Sequence, residues 1–397
     1  MNISQEKILN KIALYLSEEK RSCDLIYQFK HRGYCHGLGV LTAYGLYLKS
    51  QTKQTCATEQ DDWRWLKSTL IAVAAFRPTD QLSSGAKANF DRLIALLEYF
   101  QHISTYQTVS QGNLHHYLET TTNELIQLEY KFAGIFKASD FHQTLQVTIK
   151  ERPCHTTLFD ILTRYSYRLI LISGGKHTLS LFKKGSHFSL YDANARGGRK
   201  RFALRDSRAM IREIYKMYHY DRKQPAAFGF RIFTFHSPLM PYPDPKDVLS
   251  SLHRHQIPSF TGKYGPLHIA ARIDSTQCIE YYLKHHAELD STTTHGSTPL
   301  LVAAKRGHLA SVDYLLRHGA SMNEQHAIKS AAKRGYIEVV LVLLSYEKGD
   351  PLQHLQFVLK LLPNDTLRLE LLTKFQDRFE DPDKLEEPEH HLRLLMP

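Results

Sequence analysis

The polar and apolar positions between residues 165 and 235 follow patterns typical of short β-strands. Residues 168–173 (RLILIS), 178–182 (TLSLF) and 187–191 (HFSLY) are apolar or alternating runs bounded by glycine-containing or polar turns. The first two runs are joined by Gly174, Gly175 and Lys176, after which His177 opens the second. Because short connections of this kind join antiparallel neighbours, we predict an antiparallel sheet over about residues 165–235.

The first 150 residues carry mostly helical patterns. The clearest helical segments are Asp62–Phe76 and Ala86–Phe100, and the run 40–48 (VLTAYGLYL) is apolar enough for a buried helix. Together with the sheet that follows, these helices predict an α+β domain, which we place at residues 1–236.

A repeat with a different pattern occupies the C-terminal third. Residues 265–271 (GPLHIAA) are echoed by 298–304 (TPLLVAA), with an offset of 33 residues from Pro266 to Pro299. The string AKRG occurs at 304–307 and again at 332–335, after a shortened interval of 28 residues. This period, with a turn and two short helices per unit, resembles the ankyrin repeat. It predicts an all-α solenoid of about three units over residues 263–350.

Two further boundaries follow from composition. The stretch 237–245 (SPLMPYPDP) is dense in proline, so we predict a linker and a connecting helix at residues 237–262. Residues 380–389 (EDPDKLEEPE) are acidic and interrupted by proline, which predicts a helical cap and an acidic flexible tail over 351–397.

The net charge of +11 raises the question of an anionic partner. A basic cluster is formed by Lys183, Lys184, Arg199, Lys200 and Arg201. It would suit an anionic membrane surface or acidic substrate segments, and a solvated basic loop is the structural alternative. A nucleic-acid partner is not expected, because no helix-turn-helix, RNA-binding or zinc signature accompanies the charge.

The sequence also favours a soluble protein in a reducing compartment. No apolar run approaches the 18 or so residues of a membrane span, and the N-terminus lacks the apolar core of a secretory signal. The five cysteines, which show neither metal-ligand spacing nor a paired framework, are Cys23, Cys35, Cys56, Cys154 and Cys278. No metal or cofactor is expected.

One of these cysteines has the surroundings of a nucleophile. Cys35 lies in the run 33–39 (GYCHGLG), just before the predicted buried helix. A helix N-terminus and a nearby imidazolium lower the pKa of a thiol from about 8.5, and only the thiolate attacks a carbonyl. The alternative is that Cys35 is a small buried apolar residue, the commoner role of a free cysteine.

A base and an orienting carboxylate follow downstream. His177 opens the second predicted strand and Asp192 ends the third, so antiparallel pairing would bring the two side chains within hydrogen-bond distance. His187 is a competing base, but it would lie at the far end of the same hairpin. We therefore favour Cys35 as nucleophile, His177 as base and Asp192 as orienter.

These residues resemble the papain-like cysteine proteases of bacterial effectors, of the YopT and AvrPphB type. The matching pieces are Gly33-Tyr34-Cys35, His177 and Asp192-Ala193-Asn194, although the family usually has proline at the position of Ala193. The resemblance implies a papain-like fold over residues 20–235 and peptide-bond hydrolysis. It also implies an oxyanion-supporting side chain before the nucleophile, for which Gln28 is the nearest residue, and a supporting role for Asn194.

The combination of such motifs with repeats and an acidic tail resembles ankyrin effectors of the Legionella type. It implies a protein delivered through type IV secretion into the host cytoplasm, whose repeats bind a host protein. The expected contact surface surrounds His268, His295, Arg306 and Arg334. Two hypotheses stay open: a Cys-His-Asp thiol hydrolase, with acyl transfer or deamidation as variants, and an inactive papain-like scaffold that acts through its repeats.

Overall fold

The computed structural model describes residues 5–20, 35–51, 57–101, 126–174, 177–192, 199–235, 239–254, 257, 264–322, 326–347, 351–362 and 365–379. The described residues form two compact units, residues 5–257 and residues 264–379.

The first unit begins with four helices, α1 Gln5–Glu18, α2 Cys35–Gln51, α3 Ala57–Ala75 and α4 Ser84–Gln101. The middle helix of this group, α2, packs against α3, α4 and the sheet. Its residues from Gly37 to Leu48 are buried or half-buried, as the apolar run 40–48 predicts.

A six-stranded antiparallel sheet forms the second layer, in the order β1-β8-β4-β5-β6-β7. Its strands are β1 Gln127–Phe136, β4 Arg168–Gly174, β5 His177–Lys184, β6 His187–Tyr191, β7 Arg199–Ala203 and β8 Ala226–Thr234. A separate hairpin consists of β2 Thr144–Ile149 and β3 Arg152–Thr157. Short helices α5 Leu158–Thr163 and α6 Ser207–Met217 connect the strands.

Every residue of β4 and β8 is buried, so both sequences are mostly apolar and do not alternate. The buried polar residues of the two strands are Arg168, Ser173, Arg231 and Thr234. On β5 and β6, alternate side chains point to opposite faces of the sheet. One face of β5 contacts α2, since Ser180 lies against Gly39. The other face carries Leu179, whose amide nitrogen donates to the Tyr218 hydroxyl.

The expectation that residues 1–150 are mostly helical is wrong for residues 127–149, which form β1 and β2. The strand β1 pairs along its whole length with β8, about a hundred residues later in the chain. Phe132 faces Phe230 across this pair, with ring centroids 6.4 Å apart. The pairing with a distant apolar strand outweighs the local pattern, because strand stability depends on cross-strand and same-face packing.

The segment expected to be a linker packs against the first unit. Tyr242 stacks on Tyr130 of β1 at 4.8 Å, and the amide nitrogen of Met240 donates to Glu129 at 3.0 Å. The helix α7 Pro245–Leu252 follows, and its Ser251 Oγ accepts from the Gln146 amide nitrogen on β2. Proline ends regular structure here, as predicted, and Leu239 and Met240 are exposed, but Tyr242 is half-buried and Pro243 and Pro245 are buried.

The second unit is a series of helix pairs. The pairs are α8 Pro266–Ile273 with α9 Thr276–Lys284, α10 Pro299–Ala304 with α11 Leu309–Arg317, and α12 His326–Ala332 with α13 Ile337–Tyr346. Two more helices, α14 Pro351–Leu359 and α15 Asp365–Phe379, pack against α13. They lie where the sequence predicts a helical cap, and the acidic stretch 380–389 falls outside the described residues.

Among the described residues, no helix combines the length and the apolar character that a membrane span requires.

Candidate functional site

The candidate nucleophile lies at the start of a helix. Cys35 is the first residue of α2, and Gly39 follows one turn later. The positive end of the helix dipole and the unpaired backbone amides of the first turn favour a thiolate and a bound oxyanion at such a position. Gln28 and the Gly33-Tyr34 pair lie outside the described residues.

Close contact with β5 fixes the beginning of α2. A Cβ atom added to Gly39 would lie 3.0 Å from Ser180 Oγ and 3.1 Å from Ser180 Cβ. The absence of a side chain at Gly39 therefore allows the helix to approach the strand that begins with His177. The two elements that carry the candidate nucleophile and base are held together at this point.

Replacing Gly39 with leucine is expected to push α2 away from β5. Overpacking of a close contact costs about 1 to 3 kcal/mol of unfolding free energy. The matched control is Gly85→Leu on α4, where a Cβ atom would have no neighbour within 4 Å. Urea unfolding followed by circular dichroism measures both variants. Equal stability of the two variants would contradict the close contact, and Ser180→Gly should partly restore Gly39→Leu.

The structure brings the candidate base and orienter together. His177 Nε2 lies 2.9 Å from Asp192 Oδ1. Both residues project from the same face of neighbouring strands, because Ser180 pairs with Tyr191 and the register places Asp192 diagonally across from His177. The Asp192 side chain is 9 % exposed and that of His177 is 19 % exposed. An ionised carboxylate is an acceptor, so it fixes the tautomer in which Nε2 carries the proton and Nδ1 can take one.

A tyrosine that the sequence reasoning missed supports the His177 strand. The Tyr218 hydroxyl donates to the Ile172 carbonyl at 2.5 Å and accepts from the Leu179 amide at 3.3 Å. Its ring centroid lies 5.9 Å from that of His177. Gly174 leaves room for this ring, since a Cβ atom there would be 2.9 Å from it. Nothing in the spacing of the sequence indicates this contact, which depends on the position of α6 under the sheet.

The competing base His187 lies at the opposite end of the β5–β6 hairpin, where it pairs with Lys184. Five residues of extended strand separate it from Asp192, roughly 16 Å. Its Nδ1 contacts Ser186 Oγ at 3.2 Å instead. Asn194 lies outside the described residues.

The predicted basic cluster is divided between the two faces of the sheet. Arg199 and Arg201 lie on the α2 face of β7, whereas Lys200 points the other way and pairs with Glu213 of α6 at 2.5 Å. Lys183 donates to the Thr163 carbonyl at 2.5 Å, and burial lowers the pKa of its ammonium group. The alternative of a solvated basic loop is therefore wrong for these residues, because they lie on strands whose side chains alternate.

In the second unit, His268 does not belong to an exposed surface. It is 2 % exposed, its Nε2 lies 2.9 Å from the Ser297 carbonyl, and burial lowers its pKa. It links one helix pair to the turn before the next. His295 is exposed in that turn, and Arg306 and Arg334 are half-buried just after α10 and α12. Arg334 Nη1 donates to the Ser330 carbonyl.

Among the described residues, no group of three or more histidine, cysteine, aspartate or glutamate side chains could hold a metal ion.

A family model for ankyrin repeats, in three copies, matches residues 264–353. These residues are ankyrin repeats. Two curated relatives match this chain over short stretches. Alpha-latrotoxin-Lh1a of Latrodectus hasselti is 44 % identical over 59 residues, 15 % of this chain and 4 % of the toxin. Transient receptor potential cation channel subfamily A member 1 of Homo sapiens is 36 % identical over 89 residues, 21 % of this chain and 8 % of the channel.

The chain thus spans less than a tenth of the length of these two relatives. Among solved structures, the human ASB11 ankyrin repeat domain is 26 % identical and covers 33 % of this chain and 63 % of its own, with a TM-score of 0.25.

Two further solved structures also match the chain. The Pseudomonas avirulence protein AvrPphB covers 51 % of this chain and 92 % of its own, at 15 % identity and a TM-score of 0.23. A ubiquitin-specific protease from a murine cytomegalovirus tegument protein, solved with a ubiquitin-based suicide substrate, covers 56 % and 86 %, at 14 % identity and a TM-score of 0.26. Matches with such low TM-scores establish neither a shared fold nor a shared activity, so the papain-like fold stays a prediction.

Proposed function

We propose that the first unit is a Cys-His-Asp thiol hydrolase and that the ankyrin repeats bind its protein target. The observation that carries the first part is the 2.9 Å contact between His177 Nε2 and Asp192 Oδ1 at the start of β5. The packing of Gly39 against Ser180 brings α2, which begins at Cys35, next to the strand that begins at His177. A solvated surface histidine has no need of a carboxylate that is nine-tenths buried.

The reaction follows from these roles. His177 Nδ1 takes the Cys35 proton, because Nε2 faces Asp192, and the thiolate attacks the carbonyl carbon of a peptide or isopeptide bond. Backbone amides at the start of α2 bind the oxyanion. The C–N bond breaks as the leaving amine takes the proton from His177. Water, deprotonated by His177, then attacks the acyl-enzyme and releases a carboxylate and the thiol. Gln28 and Asn194 keep the supporting roles that the family resemblance implies.

The ankyrin repeats would select the substrate. Stacked repeats present a continuous surface that suits a protein partner, with His295, Arg306 and Arg334 as the polar contacts on the described surface.

We further propose that the protein acts in a host cell as a translocated effector. The combination of ankyrin repeats with the acidic stretch 380–389 supports this. A reporter fusion with and without residues 380–397 measures the delivery, and unchanged delivery without them would exclude the tail as the signal.

The second candidate function is an inactive scaffold that acts through its repeats. It is favoured by the family match, which concerns residues 264–353 and no part of the first unit. The two functions differ in the chemistry of one thiol, because a scaffold has no reason to keep an activated cysteine.

Alkylation of Cys35 by iodoacetamide is expected to be fast below pH 7, since a paired thiolate persists where an ordinary thiol is protonated. At pH 6, we expect Cys35 to react at least about tenfold faster than Cys154, a half-buried free cysteine in β3 that serves as internal reference. Peptide mass spectrometry gives both rates. His177→Ala should remove the difference, and His187→Ala, at the far end of the hairpin, should leave it. Equal rates in the unaltered protein would favour the scaffold.

A further inference from the structure

Every exposed side chain of α6 is a cation. The residues of this helix that the core buries are Met210, Ile211, Ile214 and Tyr215. Its exposed residues are Arg208, Arg212 and Lys216. They recur every four residues, so they follow one side of the helix, roughly 6 Å apart along its axis. Arg205 is exposed one turn earlier, in the 3₁₀ turn Leu204–Asp206, and the four cations together form a basic stripe.

The basic stripe is not neutralised within the first unit. No hydrogen bond or ion pair joins its four side chains to the residues that the structure describes. Glu213, the acid on α6, is already paired with Lys200 at 2.5 Å. Burial and then Arg208 lower the pKa of the neighbouring His142, against a smaller opposite effect of Asp160. Because like charges four residues apart on a helix repel each other, an approaching anionic surface would stabilise this face.

The surroundings of the stripe carry the same sign of charge. Residues 199–219 include seven arginines and lysines but only two acids, Asp206 and Glu213. The helix α6 lies on the sheet face opposite α2, since Lys200, which points away from the α2 face, reaches Glu213. The stripe is therefore a different surface from the cluster expected from the sequence, in which Lys183 and Lys200 are held by internal contacts.

An exposed apolar side chain stands at one end of the stripe. Leu204, next to Arg205, is 44 % exposed. A leucine beside several cations suits a lipid bilayer, because the cations contact the headgroup phosphates while the leucine enters the apolar boundary beneath them. A phosphate backbone of nucleic acid offers the leucine no such partner. Single-stranded nucleic acid is usually bound with exposed aromatic side chains, yet no phenylalanine, tyrosine or tryptophan is exposed in residues 199–219, all of which the structure describes.

We propose that the basic stripe docks the first unit onto an anionic lipid surface, with α6 parallel to the bilayer and Leu204 inserted among the headgroups. The apolar face of α6 stays in the protein core, so the contact is peripheral and mainly electrostatic. The layer that contains α2 faces away from the lipid. The proposal does not rest on the thiol chemistry, but the two together would direct the proposed hydrolase to proteins held at the same membrane.

Sedimentation of the full-length protein with lipid vesicles tests this contact. One set of vesicles is pure phosphatidylcholine, and in the other about 30 % of the lipid is phosphatidylserine, which gives the surface a negative potential. Each cation near such a surface strengthens binding about fivefold, so the protein should bind the second set at least about 100-fold more tightly. Raising the salt from about 0.1 M to about 1 M should weaken this binding at least about tenfold, because the screening length falls from about 10 Å to about 3 Å.

Two double variants with the same change in net charge locate the contact. Arg208→Gln combined with Arg212→Gln should weaken binding to the phosphatidylserine vesicles about 30-fold. Lys67→Gln combined with Arg77→Gln is the matched control, because both side chains are exposed at α3, which packs against α2. We expect the control to bind within about twofold of the unaltered protein. Equal effects of the two double variants would overturn the assignment to α6.

Leu204→Ser separates a bilayer from other anionic partners, since it keeps every charge. It should weaken binding to the phosphatidylserine vesicles at least about fivefold, because the variant no longer buries the leucine in lipid.

Two other outcomes would overturn the proposal. One is equal binding of the unaltered protein to both sets of vesicles, a comparison that needs no variant to fold. The other is a single-stranded RNA that binds more tightly than the phosphatidylserine vesicles and is equally sensitive to the Arg208→Gln and Arg212→Gln pair, which would assign the stripe to nucleic acid. Vesicle binding does not involve Cys35, so an unreactive Cys35 would leave this proposal standing, and the two proposals fail separately.

Discussion

Asp192→Ala is expected to reduce the turnover number of the proposed hydrolase about 10⁴-fold, with little change in the fold. The buried carboxylate holds His177 with its proton on Nε2. Alanine removes the oxygen that accepts from Nε2, so the imidazole is no longer held in the tautomer whose Nδ1 can accept the proton of the thiol. Removal of the orienting carboxylate has about this effect in another triad.

The readout is the release of amine from a peptide substrate, with the pH profile of Cys35 alkylation as a second measurement that needs no known substrate. Asp247→Ala is the control, because Asp247 is an exposed acid on α7. We expect it to leave both measurements unchanged. An Asp192→Ala protein that turns over as fast as the unaltered one would remove Asp192 from the mechanism.

Local pattern was enough to place the His177–Asp192 contact. Both residues belong to consecutive strands joined by a tight turn, and the two-residue period of strands determines which side chains share a face. The repeat helices were predictable for a similar reason, since each unit contacts mainly its neighbours in the sequence. In both cases the residues that decide the structure are close together in the chain.

Contacts between distant segments were not predictable. The strand β1 finds its partner about a hundred residues later, and Tyr218 reaches the His177 strand only after α6 has packed under the sheet. The basic residues from Lys183 to Arg201 were expected to form one cluster because they are close together in the sequence. The sequence did not predict β7, in which successive side chains point to opposite faces of the sheet. His268 was expected on the surface for its polarity, whereas its contact with the Ser297 carbonyl makes burial tolerable.

The largest stability effect is expected at another such distant pair, Glu129 of β1 and Arg168 of β4. Arg168 Nε lies 2.7 Å from Glu129 Oε2 and Nη2 lies 2.9 Å from Oε1, a bidentate geometry. The two side chains are 6 % and 0 % exposed. Glu129→Ala would leave the guanidinium without this carboxylate and would also remove the acceptor of the Met240 amide. Loss of one partner of a buried pair costs about 3 to 5 kcal/mol.

Urea unfolding of the full chain, followed by tyrosine and tryptophan fluorescence, measures this cost. Asp313→Ala is the control, because its i,i+4 pair with Arg317 is exposed and is worth at most about 0.5 kcal/mol. The double variant Glu129→Met with Arg168→Met should lose less than Glu129→Ala, since it removes both charges and fills the space. If all three variants lose the same stability, burial of the pair is not what holds β1, β4 and the segment at Met240 together. The strand β4 leads directly into His177. If only Glu129→Ala loses unfolding free energy, the same variant should also loosen the strand that carries the candidate base.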